Sequence, residues 1–308
     1  MIITVTMNPA IDKTADLDQF VYRGLNRLKD VIVDAGGKGI NVSKTIKALG
    51  GESIASGFCG KDDKLIENML NNENIKNDFV KIDGSVRTNL KVVEKGGILT
   101  ELNEPGPEIK IEELNELTEK LERYAGRDTL FVLAGSIPRG IDKTVYKDMI
   151  LKLEKKGAQV FLDADGELFV NAVEAAPTII KPNKFELEQY YGCTAEAGED
   201  ELIKMGMDLL DKGIKLVAVS LGQDGALFLT QNEKLKCPGL KVDAHSTVGA
   251  GDAMVAALAY GIDKNMDLKE CVRLGIAASA GAVTTQGTKP PADELVQKLK
   301  DKVSIIEI

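Results

Sequence analysis

Along most of this chain, short apolar runs of strand length alternate with stretches whose apolar residues recur at helical spacing. Residues 2–6 form a β-rich run that meets Asn8-Pro9, and comparable runs lie at 130–133, 160–162, 178–180 and 216–219. Runs of this unbroken apolar character mark buried strands. Helical patterns occupy 111–124, 143–155, 185–191 and 199–212, so strands and helices alternate as in parallel βαβ units, and the right-handed crossover rule predicts a layered α/β sandwich. Two regions, 13–33 and 86–103, break the rhythm. In the second, 88–93 and 98–102 flank Lys95-Gly96-Gly97, which predicts a β-hairpin. Both are read as one small β lid built from two separated segments over the strand ends, with a pair of independent surface hairpins as the alternative. There is no tandem repeat or long linker, so the expectation is one domain over residues 1–308.

Composition narrows the class. The chain has 308 residues, 44% of them hydrophobic, which is enough to bury a sizeable core. Its net charge is −9 with no Lys/Arg-rich block, which argues against a nucleic acid partner and means that any anionic ligand must be met by local positive groups. No basic leader precedes an apolar run, and no stretch reaches the ~20 apolar residues needed to span a bilayer, so a soluble, cytoplasmic protein is expected, with no membrane partner. Cys59, Cys193, Cys237 and Cys271 are far apart, and His245 is the lone histidine, so neither a zinc site nor a disulfide framework is indicated.

The most informative segment is STVGAGDAM, residues 246–254. Gly249, Ala250 and Gly251 carry little side chain, so their amides can converge on anionic oxygens, and the apolar run that follows predicts a helix opening there. Asp252 then sits at the helix N-terminus, where a carboxylate can take a proton from a hydroxyl while the amides stabilise a transferring phosphoryl group. Ordinary helix capping is the other reading of the same residues. A second glycine cluster, AGGKGINV at 35–42, leads into a helical stretch at 41–49; it is not a Walker A loop, because Gly39 and not Ser or Thr follows Lys38. Asp12 follows the first strand, where ligands contact doubly wound sheets, and an acid held there needs donors such as sugar hydroxyls unless water solvates it. Arg87 and Asn89 alternate about Thr88 and share one face of the predicted hairpin, as a phosphate clamp or as solvated surface groups. Asn183 and Glu186 have capping-box spacing and would otherwise hold water around Mg²⁺. Ser220, Gly222 and Gly225 follow a strand, either beneath a nucleotide or as a plain hairpin turn.

In order, these segments resemble the PfkB or ribokinase-like family of sugar kinases. The likeness is carried by TMNPAID (6–12), AGGKGINV (35–42), AGSIPRG (134–140), KPNKFEL (181–187), SLGQDGA (220–226) and STVGAGDAM (246–254), and it runs from residue 2 to about 289. The resemblance implies a three-layer α/β/α sandwich with a mostly parallel central sheet and a small β-sheet lid, and ATP and Mg²⁺ as co-substrate and cofactor. NPAID, GLNR, RTNLKV and TELNEPGPE are similar to the hexose-phosphate branch. That branch implies fructose 1-phosphate as acceptor, giving fructose 1,6-bisphosphate, with tagatose 6-phosphate and fructose 6-phosphate as alternatives. By the same resemblance Asp252 is the general base, and Gly249, Ala250 and Gly251 form the anion hole. Asp12, Gly37, Lys38, Asn41, Arg87, Asn89, Asn103, Ser136 and Arg139 hold the sugar phosphate. Lys181, Asn183, Ser220, Gly222, Gly225, Thr247, Gly249, Gly251 and Ser279 bind the nucleotide, while Glu186 and Asn183 organise the metal through water or phosphate. A lid excludes water that would otherwise hydrolyse ATP. In relatives such lids pair, implying a homodimer with Asn26 and Arg27 near the partner's site. Asp165 departs from the family pattern by adding negative charge after Asp163, and is left outside the expected site.

Overall fold

A computed structural model describes residues 1–62, 64–95 and 98–308. The chain opens with β1 (Ile2–Thr6), β2 (Ala10–Leu17) and β3 (Val31–Gly36), followed by α1 (Lys38–Ala48), β4 (Ser53–Gly60), α2 (Leu65–Asn72), β5 (Lys76–Ile82), β6 (Arg87–Glu94) and β7 (Leu99–Asn103). Strands and helices then alternate as α3 (Ile111–Tyr124), β8 (Leu130–Ala134), α4 (Val145–Lys155), β9 (Gln159–Asp163), α5 (Gly166–Val173), β10 (Ile179–Ile180), α6 (Lys184–Tyr190), α7 (Glu199–Asp211) and β11 (Leu216–Ser220). Antiparallel β12 (Ala226–Leu229) and β13 (Lys234–Cys237) precede α8 (Ala250–Asp263), α9 (Leu268–Ala282), α10 (Asp293–Lys300) and β14 (Ile306–Glu307).

The large sheet runs β14-β13-β12-β11-β10-β9-β8-β1-β4-β5 and is parallel from β11 to β5. Strand residues alternate between two cores, which is why its central strands are apolar throughout. Phe131 and Leu133 face α3 to α7 through Leu117, Tyr146, Leu187 and Leu202, whereas Leu130 and Val132 face α1, α8 and α9 through Val42, Ile46, Val255 and Val272. Side chains of Val, Leu and Phe buried this fully contribute about 1.5–3 kcal/mol each. The expected three-layer arrangement results.

A second, four-stranded sheet has the order β3-β2-β6-β7, with β2 and β6 parallel and the outer pairs antiparallel. The predicted hairpin is the β6–β7 pair, registered from Asn89 opposite Asn103 to Val93 opposite Leu99. Its turn at Gly96 and Gly97 lies outside the described residues. The two interrupting segments therefore join in one sheet and are not independent hairpins. That sheet starts earlier than the pattern predicts, at Ala10, and extends to Gly36, so Asp12 belongs to β2 and not to the loop after β1. Helix α1 likewise begins at Lys38, three residues before the expected Asn41, because Gly37 at φ 111° makes a sharp entry that the glycine cluster hid.

Candidate active site

Between the small sheet and the carboxyl ends of β9, β10 and β11 lies a cleft of about 1140 Å³. Pockets for one small ligand span roughly 300–1,000 Å³, so this cleft has room for two bound partners. Its centre is the start of α8. Gly249 precedes that helix in the left-handed region, at φ 86°, where a side chain would be strained, and Ala250, Gly251 and Asp252 form the first turn. The first-turn amides of Gly251 and Asp252 have no acceptor within the helix, so the helix presents donors and its positive dipole end to the cleft.

Asp252 is buried and accepts a hydrogen bond from Asn41 Nδ2 at 2.8 Å. Burial, with the nearby Asp163 carboxylate, pushes its carboxyl up to about 6 against the pull of Lys38, Asn41 and Lys181. This is the value of a base that accepts a proton near neutral pH. Asp163, at the end of β9, ties the site together. It pairs with Lys181 Nζ at 3.1 Å and Lys38 Nζ at 3.3 Å. Burial alone would disfavour its charge, but the two ammonium groups outweigh that and hold its carboxyl below the ordinary range. The same attraction to Asp163 raises the Lys38 ammonium. Lys181 packs against α8, since a Cβ built on Gly251 would stand 3.5 Å from its Nζ.

The small sheet supplies the opposite wall. On β6, Arg87, Asn89 and Lys91 project to one side, and both oxygens of Asp12 are engaged: Asn89 Nδ2 donates to Oδ1 and Lys91 Nζ to Oδ2, each at 2.9 Å. The expectation that Asp12 depends on a ligand for its donors is thus corrected, since the protein supplies two. Gly36 is obligatory here, because a Cβ on it would fall 2.5–2.7 Å from the Asp12 carboxyl. Arg87 Nε donates to the Asn8 carbonyl at 3.2 Å, which aims the guanidinium. Burial lowers the Arg87 group, with Asp12 opposing the shift. The two carboxamides spend their N–H groups on Asp252 and Asp12, leaving Asn41 Oδ1 and Asn89 Oδ1 buried with no acceptor role filled. Both residues line the one cleft, so these oxygens can accept from hydroxyl donors of a ligand.

At the other end, Asn183 and Glu186 form the capping box of α6, with Asn183 Oδ1 accepting from the Glu186 amide at 2.8 Å and the Asn183 amide donating to Glu186 Oε2 at 2.9 Å. The capping reading of this motif is met, and the pair also lines the cleft. Burial raises the Glu186 carboxyl, against the Asn183 amide and Lys181. Ser220, Gly222 and Gly225 form the turn between β11 and β12 and line the cleft as well. A Cβ on Gly225 would overlap the Cys237 carbonyl at 1.9 Å, so packing also demands that glycine.

Of the expected residues, Asp12, Gly37, Lys38, Asn41, Arg87, Asn89, Asn103, Lys181, Asn183, Glu186, Ser220, Gly222, Gly225, Thr247, Gly249, Ala250, Gly251, Asp252 and Ser279 line this one cleft. Ser136 and Arg139 do not. Both are exposed in the loop after β8, and Arg139 Nε donates to the Gly106 carbonyl at 3.3 Å. Asp165 is exposed at the start of α5, away from the lining. Asn26 braces its own loop through Val21 and Gly24. Sequence reasoning missed Asp163 and Lys91. Among the described residues no cluster of three or more His, Cys, Asp or Glu side chains could hold a metal ion, and no helix is long and apolar enough to cross a membrane.

A mostly parallel sheet flanked by helices, with a small second sheet facing a glycine-rich helix start, defines the ribokinase-like fold. Residues 5–295 match the pfkB family of carbohydrate kinases, and the chain belongs to that family. It is 35% identical to a 1-phosphofructokinase of Bacillus subtilis (strain 168) over 309 residues, covering 100% of both chains. A D-tagatose-1-phosphate kinase of Bacillus licheniformis is 32% identical over 317 residues, covering 100% of this chain and 99% of the relative. A crystal structure of a putative phosphofructokinase from Staphylococcus aureus superposes with a TM-score of 0.88 at 34% identity, covering 100% of this chain and 99% of that one. The protein is therefore a phosphotransferase, and its family implies ATP as phosphoryl donor.

Proposed function

We propose that the enzyme transfers the γ-phosphoryl group of ATP to the C6 hydroxyl of fructose 1-phosphate, giving fructose 1,6-bisphosphate and ADP. One observation carries this reading. The buried Asp252 carboxylate stands at the amide-lined start of α8, between a wall with Arg87, Lys91 and two unsatisfied amide oxygens and a turn region floored by glycine. Asp252 takes the hydroxyl proton as the O6–P bond forms and the bond from Pγ to the bridging oxygen breaks. The Gly251 and Asp252 amides, with Gly249 and Ala250 shaping the turn, hold the oxygens of the moving group. Arg87, with five donors in a planar fork, suits the sugar's phosphate; Lys38, Asn41, Asn89, Asn103 and Asp12 suit its hydroxyls and charge. Lys181, Ser220, Gly222, Gly225, Thr247 and Ser279 suit the nucleotide.

The donor set fits a largely hydrated Mg²⁺ and not a protein cage. Glu186 keeps one carboxylate oxygen free of the capping box, whereas Asn183 Oδ1 is committed to it. Bound there, Mg²⁺ would neutralise charge across the nucleotide phosphates. Residues 1–308 act as one catalytic domain in this reading, with the small sheet as a lid. The face of that sheet turned from the cleft exposes Val31, Val33 and Leu102, and the adjoining loop exposes Tyr22 and Leu25, apolar surface that a second copy of the chain would cover. Such a homodimer would bring Asn26 and Arg27 toward the partner's cleft.

The relative named for tagatose 1-phosphate supports a second substrate, since tagatose and fructose differ at one carbon and that phosphate occupies the same position. A coupled ADP-release assay across fructose 1-phosphate, tagatose 1-phosphate, tagatose 6-phosphate and fructose 6-phosphate tests the reading. The highest kcat/KM is expected for fructose 1-phosphate; a higher value for a 6-phosphate overturns the assignment.

A further inference from the structure

Lys91 is a buried ammonium in the cleft that neither proton transfer nor nucleotide binding uses. Only 8% of its side chain is exposed, and its one hydrogen-bonding partner among the described residues is Asp12, at 2.9 Å. An ammonium has three donors, so two remain for a ligand. Burying a charged pair costs solvation that attraction rarely more than repays, so a pair kept in a cleft wall calls for a reason beyond stability. The charges of that wall supply one. From the small sheet, Arg87 and Lys91 oppose Asp12 and Glu101, with Glu101 directly across from Lys91 in the β6–β7 register. Without Lys91 the wall carries two carboxylates against one guanidinium, and a sugar's phosphate would dock beside net negative charge. Arg87, Asn89 and Lys91 alternate along β6, so the backbone positions of the two cationic residues are about 13 Å apart with Asn89 between them, and Lys91 Nζ reaches back to Asp12 in the Asn89 row.

From this we infer that Lys91 determines specificity in the sugar subsite: it cancels Asp12 and makes the wall accept a phosphorylated ketohexose in preference to a neutral one. The inference rests on the sugar-phosphate reading above and narrows it to one side chain. Asp12 can then serve sugar hydroxyls without repelling the phosphate on the same molecule.

The test compares Lys91→Met, which keeps length and removes charge, with Lys91→Arg, which keeps charge. Initial rates give KM for fructose 1-phosphate and for ATP, and D-fructose serves as a competitive inhibitor that reports the same pocket without a phosphate. Lys91→Met should raise KM for fructose 1-phosphate about tenfold or more while the D-fructose inhibition constant and the ATP KM move less than about threefold, and Lys91→Arg should recover most of the loss. A parallel rise in the D-fructose constant, or a KM for fructose 1-phosphate within about twofold of the parent, overturns the inference while leaving the parent's substrate assignment standing. If the parent itself turns over no ketohexose phosphate, the broader reading fails and this one with it. Should Lys91→Met fold poorly, Lys91→Gln decides by the same ratio of constants.

Discussion

Replacing Asp252 with Asn should make the protein more stable and almost inactive, and both effects follow from one buried carboxyl. Asn keeps the shape and can still accept from Asn41 Nδ2, so the start of α8 and its amides stay in place. The lost base should lower kcat by roughly 10²–10⁴. Stability moves the other way because the folded state holds the Asp252 proton more tightly than the unfolded chain, about 6 against 3.8. A raised carboxyl destabilises the folded state above its folded value, and the penalty disappears below the unfolded one. The full difference corresponds to at most about 3 kcal/mol at pH 7.5 and about half of that at pH 5. Urea unfolding of parent and variant at both pH values reads the stability term. Coupled ADP release between pH 5 and 9 reads activity, where the parent should lose turnover below about pH 6 and the variant should lack that limb. A variant turning over within about tenfold of the parent, or gaining more stability at pH 5 than at 7.5, refutes the reasoning.

Three other outcomes are expected. Arg87→Ala removes a charge-assisted contact worth about 1.5–3 kcal/mol, so KM for fructose 1-phosphate should rise roughly tenfold to a hundredfold with ATP KM nearly unchanged; steady-state kinetics decides. Asp163→Asn strands the Lys181 and Lys38 ammonium groups and should cost about 3–5 kcal/mol in chemical denaturation. Because the Asp163 carboxyl is held below its ordinary range, its contribution is present at neutral pH and fades as pH falls, so the gap to the parent should narrow in acid. Val33→Asp with Leu102→Asp places charge on the exposed sheet face, and sedimentation velocity should show a monomer where the parent sediments as a dimer.

Much of the site could be read from local patterns. The glycines before Asp252, the alternation of Arg87 with Asn89 and the capping-box spacing of Asn183 and Glu186 each report a backbone conformation, and conformation is what short-range sequence encodes. Lys91 obeys the same alternation two residues beyond Asn89, so extending the period would have found it. Asp163 had a weaker signal, a lone acid ending an apolar strand, and Asp165 drew attention away although it points to solvent. What neither pattern could show is that Asp163 meets Lys38 across 125 residues of chain. Ser136 and Arg139 were expected in the cleft from their motif alone, but the path of an irregular loop depends on tertiary contacts with Gly106 and Glu108 that no periodicity encodes.

Lys44, fully inside the protein, grips Asp34 and the Ala35 carbonyl at the end of β3 from the helix that also carries Lys38 and Asn41. The edge of the small sheet and the helix that carries Asn41 to the reaction centre are thereby tied by a buried ion pair as well as by the chain through Gly36-Gly37. A displacement of that edge would therefore be carried to α1, and through Asn41 to the Asp252 carboxyl.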